Sequence, residues 1–256
     1  MSRECTKHSM LIYGINPVLE ALRAGRVTAL RVAARVPAEH NARVIAVVRL
    51  AEEQGVSVRR VGPADLDRAA GGGARHRHQG VVADVRDRTS VSVEDLVMRA
   101  RGAPLIVVLD GIEDPHNVGA ILRTVDAAGG DGVVRQSRHA APLGGAAAKA
   151  SAGAVTHVPV AEVVNIARAL EMLKAVGVWT VGLAGDAPTR YDAIDYTLPT
   201  AVVVGAEEGG LRRLVRERCD WVASIPMRGH VQSLNVSVAA GVVLFEALRQ
   251  RRHAKG

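Results

Sequence analysis

The sequence predicts an α/β fold whose larger, C-terminal part contains a mostly parallel sheet and whose first part is a smaller α/β unit. From Pro104 onward, short apolar runs rich in β-branched residues alternate with helical patterns, as in βα units whose sheet is buried on both faces. Before that point, three glycines at 71–73 and a basic run interrupt a shorter set of strands and helices. The 256 residues, 48% hydrophobic and 23% charged, suffice for one large or two small domains.

The smaller α/β unit is predicted to comprise residues 1–87. Asn16 and Pro17 are a cap and first-turn signal for a helix that continues to about Arg23. The other predicted elements are a strand at 28–34, a helix at 39–54, a strand at 56–61, a short helix from Pro63 to the glycines, and a strand at 81–85.

The loop after the glycines is basic and carries Arg75, Arg77 and Gln79, which are candidates for contact with a polyanion. On charge alone, an ordinary solvated turn is the better interpretation. His76 and His78 are metal ligands by type, but with no cysteine or third ligand nearby the sequence predicts no metal site.

The larger part follows a connecting segment at 88–103 that contains a short helix from about Val93. Its predicted strands are at 105–109, 132–135, 178–183, 201–204 and 221–225, and its predicted helices are near 117–128, 143–152, 162–176, 211–219 and 234–252. The last helix is marked by apolar residues that recur at a spacing of three to four, namely Leu234, Val238, Val242, Phe245 and Leu248.

Composition narrows the function. A net charge of +7 favours a polyanionic partner, although charge alone barely separates that from a merely basic enzyme. Aromatic residues make up only 2%, so an RNA partner would be held by arginines and backbone amides rather than by an aromatic sheet. Two cysteines exclude a disulfide framework, and no run is apolar enough for a membrane span. With no secretion signal read at the N-terminus, we expect a cytoplasmic protein.

The segment 109–124 ends a strand and opens a helix. Asn117 is placed to cap that helix, and Gly119 permits close approach of another backbone. Arg123 lies on a helix that is otherwise mostly apolar, so it needs a partner or solvent. As a lone residue it would be a surface arginine, but beside a site it is a natural clamp for a phosphate or carboxylate.

The segment 204–211 is a strand, a glycine-rich turn and the start of a helix, an arrangement that presents backbone amides to a ligand. It matches neither a dinucleotide-binding fingerprint nor a P-loop, and Glu207 and Glu208 would repel phosphates. An adenosine that carries a sulfonium group fits this turn better.

The segment 225–237 ends a strand with Pro226 and opens into the last helix. Met227 offers soft apolar surface to a flat base. The cluster of Gln232, Ser233, Asn235 and Ser237 contains more polar side chains than helix capping needs.

In this order and at these distances, the three segments resemble the signature motifs of the SpoU/TrmH family of RNA ribose 2′-O-methyltransferases, in the SPOUT superfamily. The similarity covers about 104–252. In addition, segments 13–22 and 78–81 resemble the RNA-binding domain of the family's RlmB-type branch, which methylates a guanosine of 23S rRNA. The resemblance implies a trefoil knot, bound S-adenosyl-L-methionine and a homodimer whose interface forms the active site.

The resemblance also implies roles for single residues. Gly205, Ile225, Met227 and Leu234 fall at positions that contact the cofactor. Arg123 matches the arginine implicated in activating the ribose 2′-hydroxyl, and Asn117, Glu207 and Asn235 match other catalytic motif positions. Ser233 and Arg138 match substrate-binding positions, but His139 and Gly144 depart from the pattern of relatives.

The implied organisation is an RNA substrate-binding domain at 1–87, a linker at 88–103 and a methyltransferase domain at 104–256. Two alternatives stay open: the same chemistry on transfer RNA or on an antibiotic-site adenosine, and a non-catalytic RNA-binding protein. The general base also stays open, because a free arginine has a pKa far above neutral pH and is a poor base there.

Overall fold

The computed structural model describes residues 9–36, 38–70, 78–86, 91–138 and 140–254. Its strands are β1 Ser9–Tyr13, β2 Val27–Ala33, β3 Ser57–Val61, β4 Val81–Arg86, β5 Leu105–Asp110, β6 Gly132–Gln136, β7 Val160–Val163, β8 Trp179–Leu183, β9 Thr189–Arg190, β10 Thr200–Gly205 and β11 Trp221–Ser224. Its α-helices are α1 Ile15–Arg23, α2 Ala38–Glu53, α3 Pro63–Ala69, α4 Val93–Met98, α5 Pro115–Ala127, α6 Gly145–Ala150, α7 Ile166–Ala175, α8 Arg213–Arg218 and α9 Val236–His253.

The chain forms two compact units. Of the described residues, those up to position 86 form the first unit together with Pro142–His157, and the others form the second. The first unit has a four-stranded sheet in the order β1-β4-β2-β3, in which only β2 and β3 pair in parallel. Side chains such as Tyr13, Leu66 and Val82 pack between this sheet and α3.

The segment 142–157 differs from the predicted domain boundaries, which assigned it to the methyltransferase part. Its glycines explain why it packs on the first unit. A Cβ on Gly144 would lie 2.6 Å from the carbonyl oxygen of Leu11, and a Cβ on Gly153 would lie 2.5 Å from Cβ of Glu20. Only glycine permits these two close approaches. The departure at Gly144 from the pattern of relatives therefore coincides with a packing contact.

The second unit contains a seven-stranded, all-parallel sheet in the order β7-β6-β5-β10-β8-β11-β9. Strand β5, an interior strand of this sheet, is buried along its whole length, which confirms the predicted parallel sheet with covered faces. Helix α4 also belongs to this unit, with Leu96 in the core beside Gly132. The part of the predicted linker around Leu96 is thus a packed element.

Three strands and one helix boundary differ from the prediction. The strands β1, β7 and β9 were not predicted, and the helix predicted to start at 162 starts at Ile166. Asn165 caps that helix by accepting a hydrogen bond from the Arg168 amide at 3.1 Å, so residues before it are free to pair as β7.

The predicted last helix is confirmed as α9, but the apolar residues that marked it are not the ones that it buries. The buried residues are Val236, Ala240, Val243, Leu244 and Ala247. Val238 and Phe245, which marked the predicted apolar stripe, are each 50% exposed. The helix thus carries apolar residues on two faces, and in the described chain Val238 and Phe245 on the second face are only half covered. Among the described residues, no helix is both long and apolar enough to cross a membrane.

Candidate active site

An open cavity of about 170 Å³ lies where β8, β10 and β11 end. In parallel α/β sheets, the loops after the carboxyl ends of strands are the usual place for a ligand. Three such loops and the start of α9 line this cavity, with the residues Leu183, Ala184, Gly185, Val204, Gly205, Ala206, Glu207, Gly210, Ala223, Ile225, Met227, Gln232, Ser233, Leu234, Val236 and Ala239.

The turn after β10 is shaped by its glycines. A Cβ on Gly205 would overlap the carbonyl group of Gly210, so a side chain at this position would open the turn. The Gly210 amide donates to the carbonyl oxygen of Ala206 at 2.8 Å, and Gly210 itself has a φ of 60°. This tight turn presents its backbone and Glu207 to the cavity, as the sequence predicted for a ligand-binding turn.

The four residues predicted to contact a cofactor, Gly205, Ile225, Met227 and Leu234, all line the same cavity. The apolar wall suits a flat heterocycle, and the turn adds backbone polar groups. The carboxylate of Glu207 at the rim suits a cation such as a sulfonium. The donor set and the shape therefore fit S-adenosylmethionine.

Sequence reasoning missed one of the three loops, 183–185, which follows β8. Its signal was available, because β8 was predicted as a buried parallel strand and its carboxyl end belongs to the same edge of the sheet. Val236 and Ala239 on α9 were missed as well, since their small side chains carry no chemical signal.

A polar cluster of Asn117, Glu207 and Asn235 lies at the rim of the cavity. Asn117 Nδ2 donates to Glu207 Oε1 at 3.0 Å, and Asn235 Nδ2 lies 3.0 Å from Asn117 Oδ1 and 2.5 Å from Glu207 Oε1. The structure thus brings together residues from all three motifs. Two amides donate to one carboxylate oxygen and hold the Glu207 side chain in one position.

The capping role predicted for Asn117 is wrong. Asp114 caps α5 instead, because its carboxylate accepts from the His116 amide at 2.9 Å. Asn117 is buried and its side chain is free to join the cluster. Asn235 is the residue of the third motif that caps α9, accepting from the Ser237 amide at 2.9 Å.

Arg123 lies elsewhere on α5. It follows Asn117 by six residues, which places it roughly 240° around the helix and about 9 Å along it. Its side chain is exposed, and no hydrogen bond or ion pair joins it to another residue in the described part of the chain. The structure of one chain does not bring Arg123 into the cluster.

The predicted substrate-binding residues have different surroundings. Ser233 lines the cavity, and Arg138 is exposed after β6. Gln79 Oε1 accepts from the Ile15 amide at 3.1 Å, so that oxygen serves the start of α1. Arg75 and Arg77 lie outside the described residues.

Neither histidines nor acids form a metal centre in the described ranges, where no group of three such ligands converges. His78 Nε2 lies 3.1 Å from Asp67 Oδ1, and its Nδ1 accepts from the Gly80 amide at 3.0 Å. Both ring nitrogens are therefore engaged in the loop.

Comparison with known families gives two matches that fit these two units. Residues 104–245 match the SpoU rRNA Methylase family, and residues 11–90 match the domain described as RNA 2′-O ribose methyltransferase substrate binding. The first match covers the sheet, the cavity and the polar cluster.

Relatives and solved structures agree with these matches. A Burkholderia protein named 23S rRNA (guanosine-2′-O-)-methyltransferase RlmB is 46% identical over 94% of this chain and 96% of that protein. One of the same name from Xylella fastidiosa is 45% identical over 96% of this chain and 98% of its own length.

Two of the similar solved structures contain the cofactor. The SpoU methyltransferase AviRb from Streptomyces viridochromogenes, in complex with AdoMet, has a TM-score of 0.76 at 27% identity and covers 96% of this chain and 91% of its own. The AdoMet-bound rRNA methyltransferase from Sinorhizobium meliloti has a TM-score of 0.77 at 28% identity, with coverage of 96% and 87%. On its motifs, its fold and these matches, the chain belongs to the SpoU rRNA methylase family.

Proposed function

We propose that this protein transfers a methyl group from S-adenosylmethionine to the ribose 2′-oxygen of a guanosine in 23S rRNA. The observation that carries the proposal is the position of the cluster of Asn117, Glu207 and Asn235 at the rim of the cavity that the four predicted cofactor residues line. The relatives named for this reaction match over nearly their whole length, which supports the same substrate class.

The residues of this chain would act mainly by holding and positioning. Ile225, Met227 and Leu234 would hold the cofactor, which supplies the methyl group. Transfer needs the 2′-oxygen in line with the methyl carbon, and such alignment alone accounts for a large rate enhancement. Asn117 and Asn235 donate hydrogen bonds to the carboxylate of Glu207 and hold it in one orientation at the rim of the cavity.

Arg123 would orient the ribose and its phosphate. A guanidinium offers five N–H donors and no acceptor, which suits contact with a phosphate and not proton abstraction. The 2′-hydroxyl proton then leaves to another acceptor.

We further propose that the active form is a homodimer. Arg123 and Asn117 lie on different faces of α5, so a single chain leaves the proposed catalytic residues apart. Helix α5 packs on α9, whose residues Val238 and Phe245 are exposed and apolar. A second copy on this face would cover them and bring Arg123 of one subunit toward the cluster of the other.

The proposal includes a cytoplasmic location and a trefoil knot for this protein. An enzyme that modifies 23S rRNA works in the cytoplasm, where that RNA is assembled into ribosomes. The trefoil knot implied by the motifs would pass the chain after β11 through the loops that surround the cofactor cavity.

The experiment is transfer of tritiated methyl groups from S-adenosylmethionine to total RNA from cells that lack this gene. The product is mapped by primer extension sensitive to ribose methylation. A single stop in the peptidyl-transferase region supports the proposal, whereas a stop on transfer RNA or at an adenosine contradicts the substrate. Arg123→Ala should abolish transfer and leave calorimetric cofactor binding intact; full activity of that variant would contradict the catalytic assignment.

A further inference from the structure

A second cavity, of about 180 Å³, opens at the same edge of the sheet, beside the ends of β6 and β7. It is lined by Gln136, Val164, Asn165, Ala167, Arg212, Leu214 and Val215. The strand order places β5 and β10 between this second cavity and β8 and β11, which border the first. Arg212 follows directly on the turn that ends at Leu211, so one turn of chain connects the two cavities.

The side chain of Arg212 is oriented by the buried carboxylate of Asp110. Its Nε lies 2.7 Å and its NH2 nitrogen 2.5 Å from Asp110 Oδ1, and its backbone amide donates to Asp110 Oδ2 at 2.8 Å. The Asp110 side chain is fully buried, whereas the Arg212 side chain is 53% exposed. The guanidinium is therefore fixed in direction, because Asp110 occupies its Nε–H and one N–H of its NH2 nitrogen.

The other polar groups of this cavity are also donors. The Gln136 amide is assigned with its oxygen toward Arg212, at 3.2 and 3.3 Å, because the opposite orientation would face its NH2 group to N–H donors. Its NH2 group then points away from Arg212. The Asn165 oxygen caps α7, which leaves its NH2 group without a partner in the described structure. The cavity thus offers donors from three side chains.

A ligand for this cavity must present acceptors and tolerate apolar walls. Val164 and Leu214, at its sides, are 76% and 47% exposed. A phosphate would gain nothing from them, but the faces of a nucleobase would. Among the bases, guanine presents two adjacent acceptors, O6 and N7, to such separate donors. After its contacts with Asp110 and Gln136, Arg212 has one N–H left for them, and the NH2 groups of Gln136 and Asn165 supply the others.

We propose that this second cavity binds a guanine base of the RNA substrate through Arg212, Gln136 and Asn165. The inference rests on the proposed function, because it places a base of that RNA beside the methyl-transfer site. Arg212 acts as a fixed donor to the base, and Asp110 is its positioning residue.

Two conservative substitutions test the donors without disturbing the fold. Gln136→Glu keeps the acceptor toward Arg212 and replaces the free NH2 group by a carboxylate oxygen. Asn165→Asp keeps the cap of α7, since both residues cap equally well, and makes the same change. Ala175→Glu, at the exposed far end of α7, adds one negative charge outside the cavity and is the control.

The measurement is kcat and KM of the full-length enzyme on a transcript that contains the mapped target, made with guanosine or with 7-deazaguanosine, which lacks N7. Each cavity variant should raise KM for the guanosine transcript about tenfold, the usual value of one lost polar contact, with cofactor affinity unchanged. The wild type should lose about as much on the 7-deaza transcript. For the variant that removes the donor to N7, the two losses should not multiply, because both disrupt one contact.

The outcomes separate the inference from the function. Unchanged KM in both variants, with an active wild type, overturns the guanine site alone. Losses in the variants with a wild type that ignores 7-deazaguanosine indicate a backbone phosphate and also overturn it. If the wild type methylates neither transcript, the proposed function fails and the guanine site fails with it.

Discussion

Asn235 Nδ2 lies 2.5 Å from Oε1 of Glu207, which joins the residue that caps α9 to the turn after β10. The same amide nitrogen lies 3.0 Å from Asn117 Oδ1. Each of the three residues follows the end of a different strand and contacts the other two. The geometry of the rim therefore depends on Asn117 having no capping duty, which Asp114 performs.

Asn117→Asp should inactivate the enzyme in a pH-dependent way. The substitution replaces the donor to Glu207 by a second carboxylate, and two carboxylates at this distance raise the pKa of one of them. We expect transfer to fall about a hundredfold at pH 8, the scale of a misplaced catalytic group. Part of the loss should be recovered near pH 5.5, where the shared proton restores one donor.

The check is a profile of kcat/KM between pH 5.5 and 8 for variant and wild type, with cofactor affinity from calorimetry. Ala175→Asp, at the exposed end of α7, adds a carboxylate away from the cluster and is the control, which should follow the wild type. A variant whose deficit is the same at every pH would argue against an electrostatic role for Asn117.

Arg251→Met should destabilise the protein. Arg251 donates to the carbonyl oxygens of Tyr196, Ala103, Pro104 and Leu198 at 2.7, 2.6, 3.0 and 3.0 Å, and thereby ties the end of α9 to the start of β5 and to the chain before β10. Without the guanidinium, these carbonyl oxygens lose their hydrogen-bond donor, and only water that reaches them can replace it. We expect the free energy of unfolding to fall by about 2–4 kcal/mol.

Urea denaturation measures this loss. Arg252→Met is the control, because Arg252 is the next residue, is exposed and has no partner in the described structure. Equal stabilities of the two variants would show that the carbonyl contacts of Arg251 contribute nothing.

Asp220→Asn should weaken the protein at neutral pH but not in acid. Burial raises the pKa of the Asp220 carboxyl, but contacts with Lys174 and Thr180 outweigh it, so the net pKa is lowered. Lys174 Nζ lies 2.9 Å from Asp220 Oδ1, and the amide and hydroxyl of Thr180 donate to Oδ2 at 2.8 and 2.7 Å. A carboxyl whose pKa is lowered by folding stabilises the fold at pH values above its unfolded pKa of about 4. This stabilisation is lost as the pH falls through the pKa of the folded state.

The variant should therefore be less stable by about 1–2 kcal/mol at pH 7, after allowance for solvent screening at the half-buried lysine. The difference should shrink below about pH 4. Urea midpoints between pH 3 and 7 give the comparison, and a difference that stays constant over this range would exclude the ionic contribution.

Cys219 should react slowly with thiol reagents while the protein is folded. Burial raises the pKa of its thiol to about 12, and its Sγ donates to the Val215 carbonyl. At pH 8 only about one thiol in ten thousand would be ionised, and the thiolate is the reactive form. In a Cys5→Ser background, Ellman's reagent should titrate Cys219 promptly in denaturant alone. Rapid reaction of the native protein would contradict its burial.

The sequence predicted the strands of the parallel sheet well, because β5, β8 and β10 are buried runs with few alternatives. The sequence did not predict the strands that are defined by pairing with a neighbouring strand rather than by a run of apolar residues. The two residues of β9 pair only through Ala223 and Ser224, and β7 is four residues long. Short segments of this kind carry too little pattern to separate from loops.

The candidate site divides in the same way. Motif positions identified Gly205, Ile225, Met227 and Leu234, and all four line one cavity. Which side chain caps a helix was not predictable, because Asp114 and Asn117 are both good caps and only the backbone decides. The position of Arg123 away from the cluster also follows from helix rotation and not from residue type.

The second apolar face of α9 leads to the last prediction. Phe245 is the only phenylalanine of the chain and is 50% exposed, and Val238, two turns earlier on the same face, is exposed equally. If this face is the dimer interface, Phe245→Glu places a charge in an apolar contact and should yield monomers at micromolar concentration by light scattering. Methyl transfer should fall with dimer content, since Arg123 then has no cluster to approach. Met98→Glu, at the end of α4 where the side chain is 74% exposed, should leave both the mass and the activity unchanged. A dimeric Phe245→Glu protein with full activity would place the interface elsewhere.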